Sequence, residues 1–189
     1  MAMSTTIVTE IEQRFARRAY SEKPVERKAV ERLLTSATLA PSCSNKQSWR
    51  FLACTNDESL KKAREALNGG NYWALKAPVL IVATTKDDLD CKLSDDRNYS
   101  QFDLGLGVMN LLLQATHEGL YAHPMAGFDP LKVKENFGID DDVRVMAVIA
   151  VGHPGSSDHL NEKHLASETA GRDRKPLGDV VQWDGWSGI

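Results

Sequence analysis

The chain has 189 residues, 42% hydrophobic and 26% charged, which excludes global disorder and gives one domain, residues 1–189, at about 150 residues per domain. A formal charge of −3 leaves no basic excess to neutralise a row of phosphates, so no nucleic acid is expected as a partner. The three cysteines, Cys43, Cys54 and Cys91, are odd in number and lack CxxC spacing, so neither a disulfide framework nor a zinc ribbon is expected.

The N-terminal residues 1–18 carry acids and no long apolar run, unlike a signal peptide. Ile7, Val8, Ile11 and Phe15 recur at helical spacing, as do Val30, Leu33, Leu34 and Ala37, and two amphipathic helices are expected, the second stopped by Ala40-Pro41. Residues 49–54 read as a strand. Leu60, Ala63 and Leu67 mark a short helix closed by Gly69-Gly70. The β-branched run 79–85 reads as a central strand buried on both faces. Residues 102–116 are apolar nearly all round, which predicts a helix in the middle of the molecule ending at Gly119. The longest apolar stretch, residues 104–113, is about half a membrane span, so no membrane partner and a soluble, cytoplasmic protein are expected.

Residues 121–125 are extended, and Asp129, Pro130 and Gly138 bracket a small helix as N-cap, first residue and stop. Residues 143–151 form another buried strand. Residues 152–179 read as irregular, and the segment 180–189 carries Val180, Val181, Trp183, Trp186 and Ile189, aromatics that need something to pack on. The alternation of elements predicts α/β or α+β around a sheet of four or five strands.

Arg14 and Arg18, four apart at a helix end, can converge on one anion, and a phosphate suits two bidentate guanidiniums. They suit equally a solvated helix end whose cations complement the macrodipole. Residues 40–51 pack hydroxyls, amides and backbone donors between a helix and a strand, which fits a flat polar heterocycle or a Ser/Asn-rich turn. Arg172, Arg174 and Lys175 sit together in a late loop.

These pieces occur in a characteristic order. Arg14-Phe15-Ala16-Arg17-Arg18-Ala19-Tyr20 comes first, then Ala40-Pro41-Ser42-x-x-Asn45-x-Gln47-x-Trp49-x-Phe51. Pro124-Met125-Ala126-Gly127-Phe128, Gly152-His153-Pro154 and Arg172-x-Arg174 follow. The order resembles the nitroreductase family of FMN-dependent oxidoreductases, over residues 7–181.

The resemblance implies an α+β fold with a central mixed, mostly antiparallel sheet flanked by helices. It also implies a homodimer with exchanged C-terminal arms, about residues 180–189, and FMN at the interface. Carried over, Arg14, Phe15, Ala16, Arg17 and Arg18 would line the phosphate and the polar edge of the flavin, and Arg172 and Arg174 would complete the phosphate grip. Pro41, Ser42, Cys43 and Asn45 would come from the other subunit. Met125, Ala126 and Gly127, with Asn71, would reach the reactive side of the ring.

The implied activity is hydride transfer from NADH or NADPH through FMN to a small-molecule acceptor such as a nitroaromatic or quinone, by ping-pong turnover. A non-catalytic flavin sensor on the same fold is the alternative. A flavin-fragmenting or dehalogenating relative would need a lid, for which residues 86–99 are short. Ser48 replaces the family's usual proline, which should loosen its loop, and Ala126 replaces an acidic side chain of many bacterial members. Because the flavin carries the redox chemistry, no protein catalytic residue is required.

His159 and His164, five apart, do not share a helix face as a zinc pair would, so no metal site is expected. Gly105-Leu106-Gly107 lies inside a helix and fails the context test for a dinucleotide turn. Cys43 has no histidine partner in sequence to make it a nucleophile.

Overall fold

Hydrophobic alternation sets the architecture. In the computed structural model, which describes residues 7–186 and residue 188, β2 (Val79–Lys86) is buried along almost its whole length. Successive side chains of a strand point to opposite faces. Leu80 and Val82 therefore enter one core with Tyr20, Trp73, Met125, Val148 and Ala150. Val79, Ile81 and Ala83 enter a second with Val30, Leu33, Trp49, Leu111 and Ile149.

β2 lies between β1 (Arg50–Cys54) and β4 (Val143–Gly152), and β3 (Tyr121–Met125) completes the order β1-β2-β4-β3. All three pairings are antiparallel. The register of β2 on β4 shifts between Ala83 and Thr84, where Ala83 faces Ala147 but Thr84 faces Val145. The sheet flanked by helices is the α+β arrangement expected.

α2 (Arg27–Thr38) and α4 (Ser100–His117) cover the second core. They approach closely at Gly107, where a Cβ would stand 3.2 Å from the Ala37 carbonyl. α4 was expected in the middle of the molecule. Within one chain, though, only one of its faces is buried, and Phe102 is 56% exposed.

α3 (Asp57–Glu65) and α5 (Pro130–Phe137) pack on the first core. Asp129 caps α5 by accepting from the Leu131 and Lys132 amides, and Gly138 takes the left-handed conformation that ends it. Gly69-Gly70 does not cap α3, which ends at Ala66. It opens a 3-10 segment, Gly69–Lys76, that buries Trp73.

Two further departures bear on function. α1 (Thr9–Gln13) is shorter than expected, and Arg14 is already extended. Residues 152–179 are not wholly irregular: α6 (Glu162–Thr169) forms there, with the Asn161 side chain accepting from the His164 amide. That N-cap was the signal that sequence reading passed over.

The Gly152-His153-Pro154 motif works as a clamp. Tyr20 bridges Pro154, the Ser21 amide donates to the His153 carbonyl at 2.9 Å, and the Gly155 amide donates to Ala19 at 2.8 Å. A Cβ on Gly155 would meet the Ser21 nitrogen at 2.3 Å, so only glycine permits this approach. The clamp fixes the residues just before it, 14–18, at the end of β4.

Candidate functional site

A cavity of about 250 Å³ is lined by Arg14, Phe15, Arg18, Gly171, Arg172 and Arg174, together with Ala16, Ser167, Ala170 and Asp173. The arginines thus converge as expected, but not by helical spacing. A non-helical segment between α1 and Tyr20 carries Arg14 and Arg18, and contacts from 150 residues away hold it in place. The Glu168 carboxylate accepts from the Arg18 amide at 2.8 Å, and Arg17 Nη1 donates to the Glu168 carbonyl. Arg172 Nη2 donates to the carbonyls of Ile11, Glu12 and Arg14 at 2.9, 3.1 and 2.6 Å. The carbonyls at the end of α1 are thereby satisfied by a side chain instead of another helical turn. Phe15 packs between two cations, with Arg17 4.3 Å and Arg172 4.9 Å from its ring centre.

The Glu168 carboxylate oxygens accept from the Arg18 and Ala19 amides. Among the described residues no ion pair joins a carboxylate to Arg14, Arg18, Arg172 or Arg174. Burial first, then the neighbouring Arg172 and Arg174 charges, lower the pKa of Arg14. Like charges crowded in a partly buried cavity disfavour one another unless an anion enters. A phosphate dianion matches that charge and those bidentate donors.

Trp73 and His123 connect this cavity to the turn at residues 125–127. Arg18 lies 5.7 Å over the Trp73 ring, and His123 packs on the same indole at 4.6 Å. His123 Nδ1 lies 3.0 Å from the Arg17 carbonyl, which can only accept, so Nδ1 carries the proton and Nε2 is left as a lone pair. Burial, reinforced by the positive charges of Arg18, His164 and Arg14, brings His123 down to about 4. Sequence reading missed His123 because a histidine inside a strand carries no motif.

At the turn, Asn71 Nδ2 donates to the Gly127 carbonyl at 2.7 Å. A Cβ on Gly127 would stand 2.8 Å from the same nitrogen. Asn71, Met125, Ala126 and Gly127 are therefore brought together, Met125 buried and Ala126 exposed.

Pro41, Ser42, Cys43 and Asn45 lie elsewhere, at the start of β1. Ser44, Asn45 and Gln47 all have positive φ, at 49°, 55° and 50°. Such backbone persists only where its surroundings hold it. The Ser42 hydroxyl accepts from the Gln47 amide at 2.9 Å, and the buried Asp103 carboxylate accepts from the Cys43 amide at 3.1 Å.

Ser48 does not loosen this loop as expected. It is fully buried, its hydroxyl donates to the Ser100 carbonyl, and its own carbonyl accepts from Thr85 Oγ1.

The expectation of no disulfide is also overturned: Cys43 and Cys91 are bonded, with Cα atoms 5.8 Å apart. The sheet register explains the pairing. Arg50 at the start of β1 lies opposite Thr84 near the end of β2, so the loop before β1 and the loop after β2 leave the sheet at one end. A separation of 48 residues conceals that proximity in sequence.

The C-terminal aromatics find no cover within one chain, Trp183 and Trp186 being 78% and 75% exposed. Ile189 lies outside the described residues. No helix among the described residues is long and apolar enough to cross a membrane.

Known proteins resemble this chain over most of its length. An uncharacterized 15.4 kDa protein of Mycolicibacterium smegmatis is 32% identical over 130 residues, covering 69% of this chain and 86% of its own length. A Thermus thermophilus protein named NADH dehydrogenase is 26% identical over 197 residues, covering 88% of this chain and 90% of its own. A solved structure described as an oxidoreductase containing FMN superposes with a TM-score of 0.87 at 27% identity, over 98% of this chain and 96% of that one. The sequence model of the nitroreductase family matches residues 11–71 and 65–153, a span that holds Arg14, Arg18 and the Gly127 turn, and the chain belongs to that family.

Proposed function

We propose that the protein binds FMN as a homodimer and passes hydride from NADH or NADPH to an electrophilic small molecule such as a nitroaromatic or quinone. The observation that carries this reading is the cavity where Arg14, Arg18, Arg172 and Arg174 converge with no ion pair to a carboxylate among the described residues. FMN supplies two-electron chemistry when bound, so the chain's task is to hold, orient and tune it.

Arg14, Arg18 and Arg174 would grip the phosphate. Arg172 would join them while bracing the carbonyls of residues 11, 12 and 14. Phe15 and Ala16 would shape the cavity's near wall, and Arg17, which does not line it, packs on the Phe15 ring. The Asn71–Gly127 bond holds the turn open for a flat ring, because no side chain fits at Gly127. Met125 and Ala126 flank that approach, and Ala126 brings no charge to the acceptor. Pro41, Ser42, Cys43 and Asn45 would complete the site from the partner subunit, with the arm at 180–189 docking across the same interface. The exposed tryptophans of that arm and the half-exposed α4 support such a dimer.

The test begins with colour. The purified protein should be yellow and should release FMN, one per chain, on denaturation. Anaerobic NADPH should bleach it, a quinone should restore the colour, and steady-state rates should give parallel double-reciprocal lines. Release of FAD would overturn the phosphate assignment. A flavin that NADH and NADPH both fail to bleach would favour the sensor alternative.

A further inference from the structure

The disulfide joins two segments that are otherwise held independently. On one side, Asp103 holds the Cys43 amide. On the other, the Asp90 carboxylate accepts from the amides of Cys91 and Tyr99 at 2.8 and 2.7 Å, closing residues 90–99 into a loop. Asp87 secures the same loop by accepting from Asn98 Nδ2 and pairing with Arg144. Each segment keeps its own carboxylate clamp if the sulfur–sulfur bond opens. The bond is thus a local link between two loops: without it each stays anchored at its carboxylate, while the residues away from that anchor lose their restraint.

Its two sulfurs are also unequally placed. Cys91 is buried, at 4% exposure. Cys43 is half-buried and lines a cavity of about 460 Å³ with Pro41, Ser42, Tyr99, Phe102 and Leu106. That volume admits a molecule of small-ligand size. In a single protomer an incoming thiol therefore meets Cys43, with Cys91 behind it as the leaving sulfur.

We propose that Cys43 and Cys91 are a reversible thiol–disulfide site, opened by low-molecular-weight thiols, that clasps the strained 41–47 loop to residues 87–99. A small thiolate attacks the Cys43 sulfur, the sulfur–sulfur bond breaks, and Cys91 leaves as a thiolate that takes a proton from water. A second small thiolate attacks the mixed disulfide, releasing Cys43 as a thiolate that is protonated in turn. Two small thiols are oxidised to one disulfide, and the protein gains two electrons and two protons. Under oxidising conditions the exchange runs in reverse. Cys54 takes no part: it is buried and unpaired, and burial pushes its thiol up to about 11.

The consequence for the cofactor rests on the functional reading above, in which the 41–47 loop completes the flavin site of the partner. The closed clasp holds that loop in its contorted backbone. The open state lets the loop relax and weakens FMN retention, since preorganisation is lost.

The test uses the whole protein with its bound flavin. After oxidation by excess low-molecular-weight disulfide, unfolding and alkylation should label one cysteine, Cys54. After dithiothreitol all three should label. Trypsin should cut at Lys92 and Arg97 roughly tenfold faster in the reduced protein, as expected of a segment released to local opening. Cys91→Ser should show the fast cleavage without reductant, and its FMN should dissociate roughly three- to tenfold faster than from the oxidised parent.

Three labelled cysteines in the oxidised protein would overturn the proposal, as would equal cleavage rates in the two redox states. Equal FMN retention in oxidised protein and Cys91→Ser would overturn its link to the cofactor. If FMN does not bind at all, the functional reading fails, while labelling and proteolysis still decide the clasp.

Discussion

The arginine cavity and the 41–47 loop carry two halves of one expected site, and they are built in opposite ways. The cavity is assembled within a single chain by bonds spanning 150 to 161 residues, from Glu168 to Arg18 and from Arg172 to Ile11. The loop is held near its own end of the sheet by Asp103, Ser100 and one disulfide, and it lines a different cavity. In the proposed reading the phosphate grip is complete in one protomer, whereas residues 41–45 would reach the ring only from a partner, which would couple cofactor binding to dimerisation.

Acidification tests the first half most severely. His123 is held down at about 4 against an ordinary 6.5. Between those values the unfolded chain binds the proton that the folded one refuses. Stability is therefore full above about 6.5 and falls as pH drops toward 4, by about 3 kcal/mol. His123→Gln should flatten that dependence in thermal melts, and hydrogen exchange should loosen residues 14–18 before the 41–47 loop.

Arg18→Ala should cost the FMN complex roughly 1.5–3 kcal/mol, about a ten- to hundredfold loss in affinity, and leave a soluble, colourless protein. Full flavin after dialysis would refute the grip. Truncation after Gly178 should weaken FMN by about tenfold at low protein concentration and less at high concentration, because the loss acts through the dimer. Light scattering with flavin titration distinguishes this from an arm that contributes nothing. The smallest effect should come from Gly127→Ala, which displaces Asn71 from its bond to the Gly127 carbonyl. About one hydrogen bond is lost, or roughly a fivefold slowing of flavin reduction by NADPH.

Local chemistry was legible in the sequence. Asp129, Pro130 and Gly138 gave both ends of α5, and the run 79–85 gave the central strand, because caps and burial patterns are properties of neighbouring residues. The arginines line one cavity, but the spacing argument for it was mistaken. Spacing of four implied a helix, whereas the chain is extended there and α6 holds it. α6 itself escaped because none of its residues is buried, which leaves no apolar stripe to read. The Cys43–Cys91 bond escaped because proximity across a sheet register leaves no trace in spacing. His123 acquires its neutrality from Trp73 and from positive charges on other elements, none of which is visible at position 123.

Arg172 ties the finished site to the order in which the chain is made. Its guanidinium secures the carbonyls of residues 11, 12 and 14, and Glu168 secures residues 18 and 19. On the ribosome the N-terminal segment emerges first, yet its clamps are translated last, some seconds later at about 5–20 residues per second. The arginine cavity therefore forms only once residues 168–174 are in place, and a chain truncated before Glu168 would lack it.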